Sequence, residues 1–171
     1  SLHRVYHALV WGVPSPARGE IETLIGRHPA HRTRMAVVPH GTPGARHALT
    51  RYATVRAWNM ALALVECRLA TGRTHQIRVH MAHIGHPLVG DAMYGRIPRQ
   101  YSLDSTLLSA LTGLGRQALH AVEIAFLHPE SGEPIHLHSR IPQEMQDLLD
   151  RLDTAASPAA SPAERPGGAF A

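Results

Sequence analysis

Thr71-Gly72-Arg73-Thr74-His75-Gln76-Ile77-Arg78-Val79-His80-Met81 follows a run, Ala61 to Ala70, in which Val65, Cys67 and Leu69 alternate with Glu66 and Arg68. Alternation of apolar and polar residues is the period of a half-buried strand. Thr71-Gly72 breaks that strand, and Thr74 suits the N-cap of what comes next. From His75 to Ile84 the period becomes helical, with Ile77, Met81 and Ile84 on one face. Gly85 suits the helix stop, and Pro87 forbids continuation. A strand, a tight turn and a short helix hold side chains rigidly at a strand end. The polar groups held there are Arg73, His75, Gln76 and Arg78. Two arginines five residues apart at a helix start favour negative charge, because guanidinium forks and orphan backbone N–H groups both attract it. A phosphate and a buried carboxylate satisfy this equally, and so does plain solvent around a helix start with an apolar underside.

Working outward, residues 4–12 read as a strand ended by Gly12, and residues 14–19 as a loop. Glu20 to Ile25 is too short to type. Arg34–Val38 and Ala48–Ala57 read as strands joined through residues 39–44 in a hairpin-like connection. Downstream, residues 97–105 form a polar loop, and residues 106–114 a short helix or an ordered insertion. Residues 118–127, a turn at 129–132 and a return strand at 133–138 make a closing hairpin. Pro142 can open a helix whose apolar stripe is Met145, Leu148, Leu149 and Leu152. From Thr154 onward Ala, Ser, Pro and Gly dominate, a composition that does not bury enough surface to order itself. The expectation is one α+β domain over residues 1–153, with a mixed, largely antiparallel sheet and short flanking helices, followed by a disordered tail at 154–171.

Composition sets bounds. The 171 residues suffice for one domain with a real core, and 44% hydrophobic content is ordinary for a globular chain. Net charge is +4, and all seventeen basic residues are Arg. A GC-rich genome gives that bias without any functional reason, but Arg is also the better residue for phosphate. Moderate basicity points to an anionic partner. The single Cys67 excludes an internal disulfide and suits a reducing cytosol. No apolar run reaches membrane-spanning length, and the first residues lack a signal-peptide pattern. Arg27, Arg32, Arg34, Arg46 and Arg51 accumulate between residues 27 and 51, and read either as scattered surface charge or as a basic lip.

The string TGRTHQIRVHMAHIGHPLVGDAMYG, residues 71–95, resembles the late catalytic-domain motif of the RluA/RluD-type RNA pseudouridine synthases. Arg4-Val5-Tyr6-His7-Ala8-Leu9-Val10-Trp11-Gly12 resembles that family's K-x-Y-x-A-x-V-x-G segment, with Arg in place of Lys. Gly19-Glu20-Ile21, Arg27-His28-Pro29, Arg34-Met35-Ala36-Val37 and Ala48-Leu49-Thr50-Arg51-Tyr52 resemble the stretch after it. Arg116-Gln117-Ala118-Leu119-His120-Ala121, Phe126-Leu127-His128-Pro129 and Ser131-Gly132-Glu133 resemble its closing hairpin. The likeness covers about residues 2–150.

The resemblance implies the pseudouridine synthase fold and conversion of uridine to pseudouridine in RNA, ribosomal or transfer, without a cofactor. A cytoplasmic monomer with no membrane partner is expected. The family's nucleophilic aspartate lies in an H-R-L-D-x-x-T-S-G motif upstream of the tyrosine segment, and no such string occurs in this sequence. Arg151-Leu152-Asp153-Thr154 echoes its letters without its context. The expectation is therefore a chain truncated before its nucleophile and inactive alone; a non-catalytic RNA-binding remnant or pseudoenzyme is the second reading. By motif position, Arg78 is the cation that pairs with the nucleophile, and in this chain is expected to lack that partner. Tyr6 is the active-site tyrosine, suited to stack on uracil. Arg73, Thr74, His75 and Gln76 are implied pocket or phosphate contacts, and with the resemblance Arg27, Arg34 and Arg46 join them as RNA-binding residues. His75, His80, His83 and His86 raise the question of zinc. No acidic residue falls at a zincin spacing, and the motif accounts for these histidines without metal, so no metal is expected.

Overall fold

The computed structural model describes residues 2–156. Ser1 and residues 157–171 lie outside the described residues, and with them most of the expected tail. Thr154 to Ala156 do not belong to a tail: they complete the last helix.

Seven strands form one sheet. They are β1 (His3–Trp11), β2 (Arg18–Arg27), β3 (Met35–Val37), β4 (Arg46–Trp58), β5 (Leu62–Leu69), β6 (Leu119–Leu127) and β7 (Pro134–His138). The spatial order is β3-β2-β4-β5-β1-β6-β7, every pairing is antiparallel, and β3 and β7 are the edges. Helices α1 (Gln76–His83), α2 (Ser105–Thr112) and α3 (Gln143–Ala156) flank it. The α+β class stands. No helix among the described residues is long and apolar enough to cross a membrane.

One connection differs from expectation. Residues 34–38 and 48–57 do not pair as a hairpin, because β2 lies between them and bonds to both β3 and β4. The untyped Glu20–Ile25 is the middle of a ten-residue strand. Its carboxylates Glu20 and Glu22 lie on the solvated face opposite Arg51 and beside His47, which masks an apolar run on the other face.

Each face of the sheet carries a buried core. On one, Leu9, Trp11, Trp58, Leu62 and Leu64 pack with Met145, Leu148, Leu149 and Leu152 of α3 and Leu111 of α2. The apolar stripe of the last helix is thus all buried. Asp104 caps α2, its carboxylate accepting from Thr106 N–H. On the other face Tyr6, Ala8, Val10, Val65 and Cys67 pack with Ile77 and Met81 of α1. Cys67 is a core group, and burial together with Glu66 pushes its thiol up to about 12.

Candidate active site

The site is built on the α1 face. Residues 86–91 are anchored to β1: Trp11 N–H donates to Pro87 O at 2.9 Å, and Val89 N–H donates to Leu9 O at 2.9 Å. This clamp carries Asp91 to the flank of α1. There the Arg78 guanidinium donates from Nε and Nη2 to the two Asp91 oxygens at 2.8 and 2.9 Å. Asp91 also accepts from Met93 and Tyr94 N–H, so its carboxylate, fully removed from solvent, is satisfied by four donors. Burial alone would raise the Asp91 carboxyl; the Arg78 bonds and two backbone N–H groups outweigh it and hold the group below the usual carboxylate range. The bond to Asp91 raises the Arg78 pKa in turn, against the opposing effect of burial.

The expectation that Arg78 lacks an anionic partner is therefore corrected: Asp91, thirteen residues on, is that partner. Tyr94 covers the guanidinium, its ring centroid 4.8 Å from the Arg78 carbon. Both Asp91 bonds use Nε and Nη2. Nη1 of Arg78 makes no hydrogen bond among the described residues, yet is not sealed from solvent.

Tyr6 projects onto the same face two residues from Ala8, half-buried beside the Ile77–Met81 side of the helix. Arg4, on the same side of β1, passes beneath Gly72, where a Cβ would collide with its guanidinium. The Arg4 Nε is buried with no partner among the described residues.

Thr74 is not the N-cap. His75 occupies that position in the left-handed region at φ 57°, with no side-chain cap. A non-glycine residue there is held against a cost of order 1 kcal/mol. Its Nδ1 is hydrogen bonded to Tyr94 Oη at 2.8 Å, and Tyr94 Oη accepts from Met35 N–H at 2.9 Å. Burial lowers the His75 pKa, and the nearby Arg78 charge lowers it further.

Gln76, expected as a pocket or phosphate contact, is turned into the protein. It is 2% exposed, and both ends of its amide are committed. Oε1 accepts from Thr71 Oγ1 and Arg73 N–H, while Nε2 donates to Leu49 O and Thr50 Oγ1. Because Thr50 Oγ1 accepts from Gln76, its own proton is available to His80 Nδ1 at 2.8 Å, which leaves His80 Nε2 to donate to Thr23 Oγ1. Gln76 and His80 thus tie the helix to the sheet. Arg73 and Thr74 are exposed, and Arg73 Nε donates to His47 O. The four histidines weighed for zinc, His83 among them, belong to no cluster of three His, Cys, Asp or Glu among the described residues: His75 meets Tyr94, His80 meets two threonines, and His86 Nδ1 lies 2.9 Å from Trp11 O.

Arg27, Arg34 and Arg46 lie at the β3 end of the sheet, all exposed. A pattern missed on reading the sequence explains their setting. Residues 23–103 hold eleven arginines and only two acidic residues, Glu66 and Asp91, whereas residues 104–153 hold eight acidic residues and three arginines. Tabulating charge by segment would have found it. Among the described residues Arg32, Arg34, Arg46, Arg96 and Arg99 form no ion pair, while Arg51, Arg56 and Arg68 are each paired to a carboxylate.

A family model described as RNA pseudouridylate synthase matches residues 1–83. A solved structure of human RNA pseudouridylate synthase domain containing 4 superposes with a TM-score of 0.67 at 25% identity, covering 89% of this chain and 62% of that one. The chain is 44% identical over 167 residues to ribosomal large subunit pseudouridine synthase D of Xanthomonas campestris, covering 96% of this chain and 48% of the relative. It is 45% identical over 152 residues to the protein of the same name from Nitrosomonas europaea, covering 89% and 41%. The chain spans about half the length of these curated relatives. By fold it is a pseudouridine synthase domain. By sequence it belongs to the RluA/RluD-type pseudouridine synthase family.

Proposed function

We propose that these residues supply the arginine–tyrosine part of a site that isomerises uridine in large-subunit ribosomal RNA. One observation carries the reading: Arg78 is locked by Asp91 and Tyr94 with Nη1 open, on the face that bears Tyr6. A cation fixed in this way keeps an incoming carboxylate ionised and aimed. In the proposed reaction that carboxylate bonds to C1′ as the N-glycosidic bond breaks, and the base turns. Its C5 then bonds to C1′ as the carboxylate leaves, the C5 proton departs and N1 takes one up. The base has to leave its stack first, and the Tyr6 ring offers a surface to receive it.

The nucleophile in this reading comes from a segment outside the 171 residues. Asp91 is spent on four donors, and Asp153 sits in α3, holding Trp58 Nε1 at 2.9 Å and Arg56 on the far side of the sheet. Neither is free to attack a base beside Tyr6.

The test is tritium release from unmodified ribosomal RNA labelled at uridine C5. The 171 residues alone should release none. A longer protein carrying an upstream H-R-L-D-x-x-T-S-G segment should release it, and Arg78→Ala in that protein should abolish release. Catalytic release by the 171 residues alone refutes the assignment. Salt-dependent RNA binding by the longer protein without release favours the second reading, a non-catalytic RNA-binding protein.

A further inference from the structure

Beside the Arg78 cluster, on the far side of Tyr94, a cleft of about 570 Å³ opens between the start of β3 and the 92–100 loop. Arg34, Gly85, Tyr94, Arg96 and Gln100 are among its walls. We propose that this cleft is a phosphodiester subsite, with Arg34 and Arg96 as its cations, for RNA flanking the base received at Arg78. The proposal rests on the RNA reading above and adds to it a second place where the strand is held.

Three observations carry it. First, the cleft has cations and no counter-charge: both arginines are exposed, neither forms an ion pair among the described residues, and no carboxylate lines the walls. The arginines on the opposite sheet face are already neutralised by Glu20 and Glu66. A guanidinium without an acidic neighbour, facing a concave polar surface, is suited to the bidentate geometry of a phosphate. Second, the cleft is physically joined to the site. The residue after Arg34 donates its N–H to Tyr94 Oη, and the Tyr94 ring covers Arg78, so one side chain fixes the spacing between subsite and cation. Third, the cleft's volume falls in the range of small-molecule sites and accepts a phosphate with its sugar.

The experiment uses the 171-residue chain and a fluorescein-labelled, uridine-containing RNA hairpin, with affinity measured across a salt series. Neutralising two phosphates should account for about 1.4 of the log–log salt slope, on single-strand values. Arg34→Ala with Arg96→Ala should remove that share and weaken binding roughly tenfold or more near physiological salt. Arg51→Ala, whose partner is Glu20, and Arg140→Ala, exposed in the acidic half, should change neither quantity appreciably. A double variant that keeps the full slope overturns the subsite and leaves the RNA reading standing. Equal losses in all the variants indicate diffuse attraction and overturn it as well. No salt-dependent binding by the unmodified chain removes the RNA reading and the subsite together.

Discussion

The two faces of the sheet are buried by opposite chemistry. Against α2 and α3 the sheet presents Leu9, Trp11, Trp58, Leu62 and Leu64, and the helices answer with Leu111, Met145, Leu148, Leu149 and Leu152. Against α1 the apolar set is mixed with polar groups. Thr50, Gln76, His80 and Asp91, the buried polar and charged residues among those described, all belong to this side. Apolar contact is non-directional, so α3 is held strongly by its stripe, with Asp153 on Trp58 Nε1 and Arg56 as its polar tie to the sheet. Hydrogen bonds have directions, so Gln76 and His80 fix α1 to the sheet in one register. The difference teaches where precision is located. One face supplies stability, and the other supplies a fixed position for Arg78.

The sharpest way to break this contrast is Asp91→Ala. It leaves the Arg78 guanidinium without its carboxylate and two backbone N–H groups without an acceptor. Removing one partner of a buried pair costs about 3–5 kcal/mol. Urea denaturation should show a loss of this size, and Asp91→Asn should recover part of it through the backbone bonds. A loss below about 1 kcal/mol would mean that solvent already satisfies Arg78.

Met145→Ala probes the other face. Met145 is fully buried in the α3 stripe, and truncation should cost about 2–5 kcal/mol with a cavity left behind. Met145→Leu should cost less than about 1.5 kcal/mol, because the face asks for volume and not direction. No comparably mild swap exists for Gln76, whose four bonds need a primary amide at that reach. Equal tolerance at the two positions would erase the distinction drawn between the faces.

The legibility of the sequence divides along the same line. The α3 stripe, the β5 alternation and the Ile77–Met81 face are readable because burial repeats with the period of the backbone. The α1 network is not, since Thr23, Thr50 and Thr71 carry no sign of being its partners until the sheet brings them together. Arg78 stands out by its place at the helix start and takes its role, like Tyr6, from the motif resemblance, but Asp91 as the counter-ion required the β1 clamp on residues 87–89. β2 stayed untyped because Glu20–Ile25 alone is too short to read, and its full ten residues are defined only by pairing with β4.

His80 gives the polar face a pH signature that the apolar face lacks. Burial chiefly, and His83 secondarily, lower its pKa from 6.5 to about 4. The unfolded chain therefore takes up this proton more readily than the folded one. Its contribution to stability is full above about pH 6.5 and is lost as pH falls through 4, amounting to about 2 kcal/mol between pH 7 and 5. Denaturation midpoints measured across that interval should fall with pH, and His80→Asn should flatten the slope even though it lowers stability throughout. An unchanged slope in the variant would place the titration elsewhere.

The smallest expected effect tests the strut that joins the two parts of the α1 face. Tyr94→Phe keeps the ring over Arg78 but removes the oxygen shared by Met35 N–H and His75 Nδ1. Two hydrogen bonds near the surface are worth about 1–2 kcal/mol together. The loss should be local. β3 is a three-residue edge strand, so the Met35 amide, whose acceptor is the Tyr94 phenol, should exchange markedly faster while Val65 and Leu9 in the central strands keep their protection. Unchanged Met35 exchange would show that pairing with β2 alone holds the edge. Arg34 would then be positioned independently of Arg78, and the phosphate cleft and the cation would be two sites and not one.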